Sequence, residues 1–331
     1  MTLGKSHAVH VLLLLLVLHR AQYISVGAGD QSPADELPFS YKNLAAQGLL
    51  VPFTDAVQNT RPGHDEQSHY VAPKGLSSVV KSLLDGVNVT YGRHVASMEQ
   101  CGEGESAVWR VADTEGGTEE FDGVILTIPA PQLLQIKGTL PALLAGEAGE
   151  PLRGVRYSSR WAMGLYYPPE AWSILDDLPW AARYVKKEED DALVFISFES
   201  RKRGAGKREE QGPGPVLMLH SSVPWGIQHM ESDPREVGEA LQASLAKFIP
   251  ALMPAAETKV LKWRYSQVRP GSEAGQGKVA ALDLSPPGKG PLLWIAGDSV
   301  SGSNFENCCR SATEAARMVE ERLAGGGKSS L

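Results

Sequence analysis

The sequence predicts a mixed α/β protein in two interleaved lobes, and three patterns carry that prediction. First, a helical stripe at Gly75–Asp85 leads into short alternating runs and then the apolar run Phe121–Ile128. Second, the block Val155–Val268 strings short strand-like runs around a single strong helical pattern. Third, the apolar run Pro291–Ala296 breaks at Gly297-Asp298 and resumes as a helical stripe. Strands and helices alternate throughout, so sheets covered by helices are the natural architecture. At 331 residues the chain is long enough for two lobes.

The first element is the Leu-rich run Val9–Leu18, which contains His10 and follows Lys5. It falls short of the ~20 apolar residues a membrane span needs, and it suits the apolar region of an export leader. Small residues at Val26-Gly27-Ala28 offer a cleavage site, although at some distance from Leu18. Secretion is therefore the expectation. The alternative is a cytoplasmic chain in which this run serves as a strand. Three stretches read as loops: Gly27–Leu37, Gln58–Ser68 and Arg201–Pro215. The basic cluster Arg201-Lys202-Arg203 with Lys207 and Arg208 belongs to the last of them, and its setting predicts a solvated surface.

Gly75–Asp85 places Leu76, Val79, Val80, Leu83 and Leu84 on one helical face. Val87–Tyr91 and Ala107–Ala112 alternate as half-buried strands do, and the first contains a glycosylation sequon, Asn88-Val89-Thr90, which strand burial would leave unused. Phe121–Ile128 reads as a buried strand stopped by Pro129 and Pro131. In the middle block the strands are Ala162–Tyr167, Leu193–Phe198 and Val216–Leu219, with a helix around Val237–Phe248. The final helix, Ser311–Leu323, carries Ala312, Ala315, Ala316, Val319 and Leu323 on one face and ends at Gly325.

Composition narrows the function. A net charge of −7 is wrong for nucleic acid, which selects clustered Lys and Arg. Three cysteines, two of them the adjacent Cys308-Cys309, cannot build a disulfide framework. No Cys/His spacing suits zinc, so no metal is expected.

The most specific chemical signal is the strand–Gly-Asp–helix sequence from Leu292 onward. A glycine there lets backbone approach a ligand closely, and Asp298 offers a carboxylate to sugar hydroxyls. The positive end of a helix starting near Asn304 would face developing negative charge, as on the pyrimidine edge of a reduced flavin. Taken alone, Gly-Asp is more often just a tight turn.

It does not stand alone. GLSSVVKSLL, VILTIPAPQLL, RYSSRWAMGLYY, LKWRYSQV and AGDSVSGSNFENC follow one another in an order and spacing that resembles the renalase family of amine-oxidase flavoproteins, from Ala21 to Leu323. The resemblance implies a two-lobe FAD/NAD(P)-binding flavoprotein fold with a mixed-sheet substrate lobe. It implies FAD held non-covalently by a discontinuous lobe, 70–134 with 288–324. The substrate lobe would be 35–69 with 135–287, and 1–20 a leader-like or alternative N-terminal segment. Gln22, Tyr23, Gly297, Asp298, Asn304 and Phe305 match the family's flavin segments, and Val95 its adenine strand. Tyr70, Tyr157, Arg160, Trp161, Trp263 and Arg264 fall in segments that face the substrate lobe, where Trp161 and Trp263 could equally be core residues. The implied activity is oxidation of the 2- and 6-dihydro isomers of NAD(P)H by O2, yielding NAD(P)+ and H2O2. No side-chain catalyst is needed, because a dihydropyridine donates hydride directly to flavin N5. Catecholamine oxidation and a secreted binding role without catalysis are the alternatives. One departure is plain: the family's first βαβ unit, with G-x-G-x-x-G and its acidic residue, has no counterpart before Ala21, and Gly27-Ala28-Gly29 lacks the spacing to replace it.

Overall fold

The computed structural model describes residues 9–12, 23–27, 37, 39–204, 214–269, 280–286 and 290–325. In chain order the strands begin Val9–Leu12 (β1), Ile24–Val26 (β2), Val51–Pro52 (β3), Val57–Gln58 (β4) and Ser68–Val71 (β5). Val95–Cys101 (β6), Val108–Asp113 (β7), Thr118–Phe121 (β8), Gly123–Leu126 (β9) and Lys137–Gly138 (β10) follow. The remainder are Tyr157–Tyr166 (β11), Ala182–Tyr184 (β12), Leu193–Phe198 (β13), Val216–Ser221 (β14), Glu257–Val268 (β15), Leu282–Asp283 (β16) and Leu292–Ile295 (β17). Two compact units share them. Unit 1 comprises Met1–His19, Leu84–Arg156 and Gln267–Leu331, and unit 2 comprises Arg20–Leu83 and Tyr157–Ser266. These boundaries place the helix Leu76–Leu83 in unit 2, whereas the lobe boundaries drawn from sequence put 70–134 together.

Unit 1 is built on the sheet β1-β9-β17-β16. Its first three strands run parallel, with Val9 opposite Gly123 and Leu292 opposite Gly123 on the other side. Parallel strands are covered on both faces, which is why every residue of β9 is buried. Val9–Leu12, within the leader-like run, is thus a strand of this sheet. The antiparallel meander β6-β7-β8, extended by β10, forms a second sheet. Trp109 ties it to the first, since its indole N–H donates to the Leu292 carbonyl at 3.0 Å.

The final helix runs Phe305–Gly325, a turn and a half earlier than the apolar pattern suggests, because the Asn304 side chain accepts the Asn307 N–H at 2.7 Å and caps it. Its inward face also differs from the expected one. Cys309, Ser311 and Ala315 are buried, with Met318 and Val319 packed behind, while Ala312, Ala316 and Leu323 are exposed. The Ser311 hydroxyl accepts the Gly297 N–H at 2.7 Å and donates to the Ala280 carbonyl, which turns that face inward.

Unit 2 centres on the six-stranded sheet β15-β11-β14-β13-β12-β4, with a smaller sheet β2-β5-β3. One face of the large sheet packs Trp161, Met163, Leu165, Ile196, Phe198, Leu217 and Leu219 against Val237, Leu241 and Leu245 of the helix Pro234–Leu245. That helix starts where the Asp233 side chain accepts the Arg235 N–H, with Pro234 at its first position.

Two further expectations fail. Val87–Tyr91 is an exposed loop, because alternation alone makes no strand without a ladder partner. The basic cluster is also not uniformly solvated. Lys202 is buried against Glu199, and Arg201 donates to the carbonyls of Leu175, Asp176, Leu178 and Trp180 while lying over the Phe198 ring. A guanidinium with that many carbonyl partners is satisfied without water. Lys207 and Arg208 lie outside the described residues.

Candidate functional site

Some of the candidate residues gather in two clusters, one in each unit, and the others lie apart. In unit 1, β17 ends at Ile295, and Gly297 takes φ +90°, ψ −163°, a conformation that only glycine adopts without strain. The backbone thereby folds back against Thr127 at the end of β9. Asp298 opens the short helix Asp298–Ser301 and is buried, and its carboxylate accepts the Ser303 hydroxyl at 2.8 Å. The Ser299 hydroxyl donates to the Ile128 carbonyl at 2.8 Å, pinning this elbow to the loop that leaves β9. Phe305 is buried and Asn304 is exposed at the cap of the last helix. Cys308 places its thiol 3.9 Å from the Gly302 carbonyl. Burial, then the neighbouring Asp298 carboxylate, pushes its thiol well up, and burial pushes Cys309 up to about 12, so both remain protonated, poor nucleophiles.

Val95 opens β6 opposite Asp113, and beside it the His94 carbonyl accepts the Thr114 N–H at 2.9 Å. Arg93 pairs with Asp113 and Glu119. The remaining unit 1 candidates thus cluster at the elbow, and Val95 belongs to the second sheet.

In unit 2, side chains alternate across the large sheet, so the face opposite the helix-packed core presents Arg160, His220, Phe195 and Tyr184. An aromatic row crosses it. Trp263 meets His220 at 4.9 Å, His220 meets Phe195 at 5.9 Å, and Phe195 meets Tyr184 at 4.9 Å. The Tyr184 hydroxyl then lies 2.9 Å from that of Tyr23, which is 3.1 Å from His64 Nε2. His69 stacks on His64 at 3.9 Å. Burial, reinforced by Tyr184, raises the Tyr23 hydroxyl, so it stays a neutral donor.

The face is cationic. Burial, and then the charge of Arg61, lower the Arg160 guanidinium from its ordinary value, yet an arginine keeps its charge in proteins. Burial first, then Arg160 and Lys202, drive His220 down to about 3, which leaves it a neutral imidazole at physiological pH.

The structure brings Tyr23, Arg160 and Trp263 onto or beside this face and leaves other candidates elsewhere. Trp161 is fully buried in the core of the opposite face, its indole N–H donating to the His229 carbonyl at 3.1 Å, with Lys262 over its ring. Arg264 pairs with the exposed Glu231 at 2.7 Å. Tyr70 stacks on Tyr41, and Tyr157 packs edge-on to Tyr265. Gln22 lies outside the described residues. Sequence reasoning missed His220, Tyr184, Phe195, Arg61, His64 and His69. The first three were legible only as strand parity, which needs the register. No group of His, Cys, Asp and Glu among the described residues is arranged to hold a metal, and no described helix is long and apolar enough to cross a membrane.

Against known proteins, the family described as flavin containing amine oxidoreductase matches residues 48–319. The chain is 32% identical to mouse (Mus musculus) renalase over 285 residues, covering 86% of this chain and 78% of that protein. A solved structure of a protein assigned as a protoporphyrinogen oxidase, from Exiguobacterium sp. 255-15, superposes with a TM-score of 0.56 at 14% identity. That match covers 80% of this chain and 54% of the other, and at that identity it speaks to fold alone.

The residues present fit one end of the family's cofactor. The Gly297 elbow offers close backbone approach, and Asp298 offers a buried carboxylate for ribityl hydroxyls. For the diphosphate the fit is poorer. The run that follows β1, Leu13 to Val26, contains no glycine, so the tight turn that brings backbone N–H groups to phosphate is not written there. The family match, the renalase similarity and the parallel sheet ending in the Gly-Asp elbow agree. The chain belongs to the flavin containing amine oxidoreductase family, as a renalase-like, FAD-dependent oxidoreductase.

Proposed function

We propose that this oxidoreductase oxidises dihydronicotinamide dinucleotides, the 2- and 6-dihydro isomers of NAD(P)H, with O2 as electron acceptor, giving NAD(P)+ and H2O2. The observation that carries the reading is the cationic aromatic face of unit 2. A dinucleotide brings flat rings and two phosphate charges, and Trp263, Tyr184 and Tyr23 with Arg160 and Arg61 answer both. An amine substrate arrives as an ammonium ion, which two guanidinium groups would repel. We assign the flavin to unit 1, held non-covalently at Gly297, Asp298 and Asn304. The protonated Cys308 and Cys309 thiols support non-covalent attachment.

When bound, the flavin would supply the redox chemistry, a two-electron acceptor for the substrate that O2 can reoxidise. The protein's residues bind, orient and withhold protons. Tyr23 and the neutral His220 present fixed dipoles without exchanging a proton near neutral pH. Arg160 anchors the anionic part of the substrate, so the dihydropyridine ring is positioned by its remote phosphates. The test is H2O2 release by FAD-loaded protein on the 2- and 6-dihydro isomers, with ordinary 4-dihydro-NAD(P)H and catecholamines as comparisons. Turnover of catecholamines with none of the dinucleotide isomers would sink the proposal in favour of amine oxidation.

A further inference from the structure

We propose that Asn88 is an N-glycan acceptor and that the chain is modified there on passage through the endoplasmic reticulum. Of the chain's five asparagines, Asn43, Asn59, Asn304 and Asn307 lack a hydroxyl residue two positions on, and only Asn88-Val89-Thr90 has one. An acceptor must be reachable and must be able to bend into a transferase, so a sequon locked in a sheet is a poor one. This sequon is not locked. Residues 85–94 are all exposed and belong to no strand or helix. Gly86 and Gly92 flank it with φ of +77° and +73°, and a Cβ at either position would meet nothing within 4 Å, so the backbone on either side of the sequon is uncrowded, and the chain is tied down again only at Arg93 and His94. The Asn88 and Thr90 side chains make no hydrogen bond to any described residue.

A second observation concerns what surrounds the asparagine. Val87, Val89 and Tyr91 are 53%, 36% and 77% exposed, a small apolar cluster interleaved with Asn88 and Thr90. A hydrated oligosaccharide on Asn88 would cover it, which removes a sticky patch from the surface. Entry to the lumen requires that the Leu-rich run behind Lys5 engage the translocon and then, uncleaved, take its place as β1.

The chemistry balances with a lipid-diphosphate-linked oligosaccharide as donor. The Asn88 Nδ2 attacks the anomeric carbon, and an N–C bond forms as the anomeric C–O bond breaks. The lipid diphosphate leaves with the electron pair, and the amide gives one proton to the transferase. The Thr90 hydroxyl is the feature the transferase recognises.

The test is translation of the full chain in the presence of endoplasmic reticulum microsomes, with an added Asn-Gly-Thr after Leu331 as a reporter of lumen entry. The expected result is two glycans, one of which disappears in both Asn88→Gln and Thr90→Ala. Enzymatic deglycosylation should leave aspartate at position 88 by mass spectrometry. A glycosylated reporter with a bare Asn88 overturns the proposal because the loop is then not an acceptor. No glycan at either position overturns it as well, because the chain then never meets the transferase.

Discussion

At the scale of single residues, the two clusters make opposite demands on charge. His220 is kept neutral by burial between Trp263 and Phe195, with Arg160 and Lys202 nearby. Its folded pKa lies below the unfolded 6.5, so the unfolded chain binds the proton first, and stability falls as pH drops from 6.5 toward 3. Between pH 6.5 and 5 the loss should be about 2 kcal/mol from this group. Urea denaturation of wild type and His220→Gln at both pH values measures it. The variant should lose less on acidification, and an equal loss in both would show that His220 is not the titrating group. Asp298 is the converse case, a buried carboxylate whose worth lies in what it binds. Asp298→Ala should weaken FAD by about 1–3 kcal/mol, a lost charge-assisted hydrogen bond, read by flavin fluorescence titration. Unchanged affinity would remove Asp298 from the cofactor site. The position of Asp298 at the end of a buried strand was legible from its place after an apolar run, whereas the place of His220 was not, because a lone histidine beside Val216–Leu219 carries no signal until strand pairing sets it beside Trp263.

At the scale of elements, strong periodicity told the truth and weak periodicity did not. Leu76–Leu83, β9, β13, β17 and the helix Pro234–Leu245 all formed close to where the sequence placed them, because each buries a continuous face. Val87–Tyr91 alternates as Ala107–Ala112 does, but it has no partner strand and came out as a loop. Arg201 and Lys202 misled in the other direction, since charge says nothing of carbonyls and a carboxylate waiting to receive it. The element that sequence read two ways is Val9–Leu12. As β1 it pairs in register with β9, and its backbone is then structural. Successive N–H groups of a strand point to opposite sides, so the double substitution His10→Pro with Val11→Pro must remove one donor aimed at β9. The expected result is a less stable unit 1, seen as faster amide exchange at Val124–Leu126. Exchange there identical to wild type would mean that β1 contributes nothing to the sheet.

At the scale of the whole molecule, both units are assembled from separated stretches of chain, three in unit 1 and two in unit 2. The Gly297 elbow in unit 1 joins the end of β9 to the start of the last helices, segments some 170 residues apart. A ligand that binds only the folded arrangement stabilises it by mass action. FAD at about 100 times its Kd should raise the unfolding free energy by about 2.7 kcal/mol, observable as an upward shift of thermal unfolding. No shift at saturation would mean the elbow does not hold the flavin in the folded chain. The two-unit plan was legible from interleaved strand and helix patterns. The order of the unit 2 sheet, β15-β11-β14-β13-β12-β4, was not, because short apolar strands specify burial without naming their neighbours.

The indole of Trp294 gives the molecule a built-in optical gauge. It lies on β17, is fully buried over Gly123, and its N–H has no hydrogen-bond partner among the described residues. A dry, unbonded indole emits toward the blue, and the yellow isoalloxazine absorbs in that band. Three residues on, the chain turns at Gly297 into the elbow proposed to hold the flavin. Cofactor arrival should therefore dim the blue edge of tryptophan emission by energy transfer, with Trp294 well placed to act as a donor. Replacing it with phenylalanine should remove part of that dimming while leaving flavin affinity nearly intact, so occupancy of unit 1 can be followed by light without any label.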